Sequence, residues 1–210
     1  MNQEQVHKFV EALENDFICL HPTDTLPGLS FHPKSQRAKS RLYSLKQREA
    51  NKPMISLVSS LEQAKEYWGE LPEFWEQNIE KLWPEKLTIV WQASKKAPKS
   101  LVNEAGLIAL RYPKLDKSEY WLYQAIETMG YPLPSSSVNR AGEPSKKTWK
   151  EASHFSSQSE YIYVPEEGSL TEFSNNSSTI ILLEKDSFKT LREGAFETSE
   201  IKSVLKKSDP

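Results

Sequence analysis

The chain has 210 residues, 37% hydrophobic and 27% charged, with a formal net charge of −2. That length suits one domain with a sizeable core, and the near-neutral balance argues against a mainly electrostatic grip on nucleic acid, though local basic patches stay open. A single cysteine excludes an internal disulfide, and the opening M-N-Q-E-Q-V-H-K has no apolar stretch for a signal peptide or membrane helix, so a cytoplasmic, non-membrane protein is expected.

Val6, Phe9, Val10 and Leu13 recur at helical spacing and predict an amphipathic helix over about 3–14. Phe17 to Leu20 reads as a buried strand, with Cys19 a small buried hydrophobe. His21-Pro22-Thr23-Asp24-Thr25-Leu26-Pro27-Gly28 then makes a turn-rich segment leading into Leu29–Phe31. It has two readings: an ordered loop presenting hydroxyls, or a purely structural Asx- or Thr-turn between strands. Ser35 caps a predicted helix to about Gln47, ending in the cations Lys46, Arg48 and Lys52 before a strand over Met54–Val58. These cations suit either a solvated helix end or a phosphate cluster, with Arg48 able to make a bidentate contact.

Ser60-Leu61-Glu62-Gln63 is a capping-box pattern, and Pro72 opens a further helix carrying Phe74, Trp75, Ile79 and Leu82. Leu87–Trp91 and Leu107–Leu110 read as strands, with Arg111 just past the second, where it serves either the surface or a cleft. Trp121, Leu122, Ala125, Ile126 and Met129 predict a helix closed by Gly130. Leu133 to Ser145, L-P-S-S-S-V-N-R-A-G-E-P-S, reads as a shaped loop leaving a strand end. Thr148 to Glu151 is a second capping box; strands over Tyr161–Val164, Thr179–Leu183 and Phe188–Leu191 and a helix over Ser199–Lys206 follow. Strands and helices alternate irregularly, predicting an α/β domain with a mixed, twisted sheet rather than a doubly wound one. There is no internal repeat and no boundary linker, so a single domain over 1–210 is expected.

No G-x-G-x-x-G, P-loop or G-x-S-x-G motif is present, and His7, His21, His32 and His154 are too scattered for a zinc site; such histidines usually serve as surface or core residues. What remains is a set of polar segments at strand ends: Thr23-Asp24-Thr25, Lys46 with Arg48 and Lys52, Arg111, Ser135-Ser136-Ser137 with Asn139, Ser178-Thr179 and Arg192. Cations with hydroxyl-rich loops suit a polyanion beside a small polar ligand, bound by a site that works through positioning and charge stabilisation.

The order P-T-D-T, L-K-Q-R-x-x-x-K-P, W-P-x-x-L-T, A-L-R-Y-P, S-S-S-V-N-R-A-G and S-S-T-I resembles the YrdC/TsaC family over about 18–194. Members are L-threonylcarbamoyladenylate synthases, nucleotidyltransferases that make threonylcarbamoyl-AMP and pyrophosphate from L-threonine, bicarbonate and ATP. A transferase complex then modifies tRNA (t6A37). The resemblance implies a twisted mixed sheet with flanking helices around a concave, positively lined cleft. It implies a catalytic set of Lys46, Arg48, Ser137 and Asn139, and an ATP site of these with Lys52, Ser145 and Arg192. Thr25, Arg111, Ser135 and Ser178 would hold threonine; Mg2+ would be held mainly by the phosphates, with no protein metal site.

The chain departs from the family at Leu26-Pro27-Gly28, where an aromatic usually stands two residues after the second threonine, at Glu85-Lys86 after Trp83-Pro84, and at Glu49 in place of a proline. Two rival readings remain: a non-catalytic module gripping double-stranded RNA by shape, and a paralogue adenylating another carbamoyl or carboxyl compound. The Thr25–Ser135–Ser178 pattern favours the enzyme over the RNA module, and direct contact with tRNA stays open.

Overall fold

Residues 3–47, 54–166, 173–174 and 176–206 are described by the structure, a computed structural model. Seven α-helices are assigned among them: α1 (Gln3–Glu14), α2 (Gln36–Lys46), α3 (Leu61–Tyr67), α4 (Glu73–Asn78), α5 (Trp121–Met129), α6 (Trp149–Ser156) and α7 (Thr198–Lys206). The strands are β1 (Ile18–His21), β2 (Gly28–Ser30), β3 (Ile55–Leu57), β4 (Leu87–Gln92), β5 (Leu107–Arg111), β6 (Leu133–Ser137), β7 (Ile162–Tyr163), β8 (Thr179–Leu183) and β9 (Phe188–Arg192). They form one mixed sheet in the order β7-β1-β2-β6-β3-β5-β4-β8-β9. Pairs β1/β7, β3/β5 and β4/β8 are parallel and the others antiparallel.

Local chemistry sets the helix ends. The Ser35 hydroxyl accepts the Ala38 N–H at 2.9 Å and starts α2, which stops at Gln47 in the left-handed region (φ 49°). Thr148 and Glu151 make a reciprocal capping box on α6. The helix expected from Pro72 through Leu82 is shorter: α4 ends at Asn78 and passes into a 3-10 turn over Ile79–Lys81.

Burial falls into three clusters. Helices α1 and α5 pack together, with Phe9 and Trp121 edge to face at 5.2 Å between centroids. Trp75 of α4 is fully buried, and its indole N–H donates to the Glu184 carbonyl at 2.7 Å.

Two expectations need correction. Leu133–Ser145 is not loop throughout, because its first five residues are β6, a central strand paired with both β2 and β3. Serine is a poor strand former and Pro134 lacks an N–H, yet a ladder on each flank satisfies the backbone and overrides propensity. Arg111 is the last residue of β5 rather than a residue beyond it, and it is buried.

Truncating Trp75 to Ala removes a fully buried indole and leaves the Glu184 carbonyl without that donor. Urea unfolding followed by far-ultraviolet circular dichroism is expected to show a loss of about 3–5 kcal/mol.

Candidate active site

The turn between β1 and β2 is built by one hydroxyl. Thr23 Oγ1 donates to the Leu26 carbonyl at 2.7 Å and accepts the backbone N–H groups of Thr25 (3.1 Å) and Leu26 (3.2 Å). It lies 3.0 Å from Thr25 Oγ1. The structural and hydroxyl-presenting readings of T-D-T therefore both hold, because the Thr-turn is what aims Thr25.

Arg111, 4% exposed, reaches this turn from β5. Its guanidinium pairs with Asp24 Oδ1 and donates to Thr25 Oγ1 at 2.7 Å. Asp24 Oδ2 accepts the Lys114 N–H at 3.0 Å, so both carboxylate oxygens are satisfied. A buried ion pair requires this complete hydrogen bonding to offset desolvation. Arg111 Nε is buried without a hydrogen-bond partner.

Opposite, Ser178 immediately precedes β8, its hydroxyl 2.8 Å from Thr88 Oγ1. Arg192, at the end of β9, donates to the Ser178 carbonyl from Nε (3.1 Å) and Nη2 (2.7 Å). Burial, and then the Arg111 charge, push the Arg192 pKa down from its ordinary value. The backbone here is so close that a Cβ on Gly194 would lie 2.3 Å from the Ser177 carbonyl oxygen.

These segments enclose a cavity of about 230 Å³. Thr23, Thr25, Arg111, Ser135, Ser136, Ser137, Ser177, Ser178 and Arg192 supply polar groups, and Leu26, Pro27, Met54, Ile55, Leu57 and Ile180 supply apolar ones. No acidic side chain is in its wall among the described residues. The volume suits a small polar molecule or one end of a larger ligand.

Beside it, the buried Lys46 ammonium donates to the Ser137 carbonyl and to Asn139 Oδ1, the latter at 2.9 Å. Ser137 Oγ donates to the same Asn139 oxygen at 2.8 Å. Asn139 is held in turn, since its amide donates to the carbonyls of Arg140 and Glu143 at 2.9 Å. Ser137 is shared between this knot and the cavity wall.

Of the residues singled out in the sequence, Thr25, Arg111, Ser135, Ser137, Ser178 and Arg192 line one cavity, and Lys46 with Asn139 joins it through Ser137. Ser145 is half-buried in the loop beyond β6 and is not in the cavity wall. Arg48 and Lys52 lie outside the described residues. Leu26 and Pro27, at the departure from the family pattern, form part of the wall itself.

His21, taken from the sequence as a surface or core residue, is a core residue that touches the site. It is fully buried, with Nδ1 3.0 Å from the Pro22 carbonyl oxygen and Nε2 3.1 Å from Ser135 Oγ. Burial pushes its pKa down to about 4, and the Arg111 charge acts in the same direction, against the bond to Pro22. The available signal was its position immediately before P-T-D-T.

A family model named Sua5/YciO/YrdC and described as "Telomere recombination" matches residues 11–194. The threonylcarbamoyl-AMP synthase of Klebsiella pneumoniae is 31% identical over 150 residues, 70% of this chain and 77% of that protein. That of Pyrococcus abyssi is 29% identical over 88% of this chain, which spans about half (52%) of the archaeal protein. Among solved structures, P. abyssi Sua5 complexed with L-threonine superposes with a TM-score of 0.80 at 24% identity, covering 97% of this chain and 58% of that one. Escherichia coli YciO gives 0.76 at 18% identity, covering 92% and 90%. These superpositions bear on the fold alone.

His21 also makes an acid-stability prediction. Its folded pKa of about 4 lies below the ordinary 6.5, so the unfolded chain binds the proton more readily. The stabilisation is complete above pH 6.5 and is lost as pH falls towards 4, by about 3 kcal/mol. Denaturant midpoints across that range are expected to fall less steeply in His21→Phe than in the native protein.

Proposed function

Because a family model covers residues 11–194, the chain belongs to the Sua5/YciO/YrdC family, and we propose that it is a threonylcarbamoyl-AMP synthase. The amine of L-threonine combines with bicarbonate to give a carbamate and water. A carbamate oxygen then attacks the α-phosphorus of ATP, and pyrophosphate leaves. In this reading the product passes to a threonylcarbamoyl-transferase complex for tRNA modification. In the same reading the protein works in the cytoplasm. No helix of the described residues is long and apolar enough to cross a membrane.

One observation carries the reading. Thr25, Arg111, Ser135 and Ser178, from four separate segments, share a cavity with no acidic side chain in its wall among the described residues, adjoined by a cationic knot at Lys46. Two anions must meet for the adenylation step, and at about 4 Å their repulsion is about 4 kcal/mol at a near-surface dielectric. Fixed cations offset this with no reorganisation during reaction. Arg111 and the hydroxyls of Thr25, Ser135 and Ser178 take threonine. Lys46, Ser137, Asn139 and Arg192 take the nucleotide, and Arg48, Lys52 and Ser145 complete that side.

Magnesium belongs to this scheme as the counter-ion of ATP. The described residues offer no cluster of His, Cys, Asp or Glu suited to a metal, and Asp24 is committed to Arg111 and Lys114. In this scheme the phosphates hold the ion. A double-stranded RNA module is not favoured, since the curated relatives are synthases.

With ATP, L-threonine and bicarbonate, pyrophosphate release is expected, and omission of threonine or bicarbonate should abolish it. Lys46→Ala should raise KM for ATP at least about tenfold while changing KM for threonine far less, in line with the loss of a charged hydrogen bond. Pyrophosphate release independent of threonine but dependent on another amine would transfer the reading to a paralogue. Equal losses for both substrates would overturn the role of Lys46.

A further inference from the structure

His21 has no part in the assignments above, yet it stands directly behind the threonine side of the cavity. It ends β1, and its neutral ring has one proton to place. Nδ1 lies 3.0 Å from the Pro22 carbonyl oxygen, an atom that can only accept, so the proton is on Nδ1. Nε2 is then an acceptor, and Ser135 Oγ at 3.1 Å must be the donor to it. Gly28 makes this meeting possible: a Cβ there would lie 2.5 Å from Nε2 and 2.7 Å from Ser135 Oγ. With its single proton committed to His21, the Ser135 hydroxyl offers the cavity only lone pairs.

The surroundings need that polarity. Arg111 and Arg192 are donors only, and Thr25 Oγ1 and Ser178 Oγ each already give one lone pair to an arginine. An amino acid brings a carboxylate for the arginines and an amino group that must find an acceptor. We propose that His21 is a positioning residue that makes Ser135 an obligate hydrogen-bond acceptor and thereby selects the amino group of the substrate. The inference rests on the synthase reading and adds to it the orientation of one hydroxyl. Burial keeps the ring neutral at pH 7, so the polarity persists under working conditions.

The decisive measurements are nuclear magnetic resonance of the native protein with 15N-labelled histidine, and steady-state kinetics. The His21 ring is expected as the Nδ1–H tautomer at pH 7; the Nε2–H tautomer overturns the proposal without recourse to any variant, so the test survives a His21→Phe protein that does not fold. His21→Phe keeps the ring and removes the acceptor. It should raise KM for L-threonine about tenfold, with KM for ATP within about twofold, the effect of one hydrogen bond to a charged group. Because His21 acts through Ser135, the double variant His21→Phe/Ser135→Ala should be no worse than Ser135→Ala alone. Independent, additive losses overturn the proposal, as does an unchanged threonine KM in folded His21→Phe. A native protein that neither binds nor turns over threonine overturns the synthase reading and the amino-group assignment with it. Native turnover beside an indifferent His21→Phe overturns the positioning role alone.

Discussion

Strand β6 is hydrogen-bonded on both flanks, antiparallel to β2 and to β3, and that double ladder brings together the Thr25, Ser135–Ser137 and Arg111 side of the cavity. One register sets Ser137 opposite Gly28 and Ser135 opposite Ser30, bringing the serines beside the return strand of the T-D-T turn. The other sets Ser135 opposite Ile55, in the strand that follows the cationic end of α2. β3 then pairs in parallel with β5, which delivers Arg111 to the same side. Register errors are costly in such a strand, because a slip of one residue would exchange the faces of all three serines.

The two arginines of the cavity differ in electrostatic standing. The charge of Arg111 is offset by Asp24 within a network closed by Thr25 and Lys114, so this pair mainly fixes geometry, locking the β1–β2 turn onto the end of β5. Arg192 is bound to a carbonyl and a hydroxyl, and among the described residues it makes no ion pair. Of the two arginines, it is the one whose charge no carboxylate of the described residues offsets. Desolvation makes that charge costly to hold and effective in attraction, for the same low dielectric governs both.

Hydroxyl groups make up much of the remaining polar wall, and their direction is set from behind. Thr23 holds Thr25, Thr88 meets Ser178, and His21 meets Ser135. In each case a buried side chain consumes part of the hydroxyl's bonding capacity and leaves the remainder to the cavity. His21 fixes which part, because its other nitrogen is bound to a carbonyl, and Thr23 does the same for Thr25 by giving its own proton to the Leu26 carbonyl.

Much of this was legible in the sequence by itself. Apolar spacing located α1 and α5, capping chemistry located the starts of α2, α3 and α6, side-chain type marked the polar segments at 23–25, 46–52, 111, 135–139, 178–179 and 192, and the family resemblance picked single residues within them. All of these are properties of residues and their near neighbours along the chain. Only the tertiary structure decided that the serine run is a central strand, that Arg111 arrives already paired with Asp24, and that His21 stands behind Ser135. His21 and Ser135 are 114 residues apart, and Lys46 and Asn139 are 93 apart. Contacts at such separations come from strand pairing between distant segments. Local pattern carries no record of them, because propensity and periodicity describe what a segment can form, whereas its partners decide what it does form.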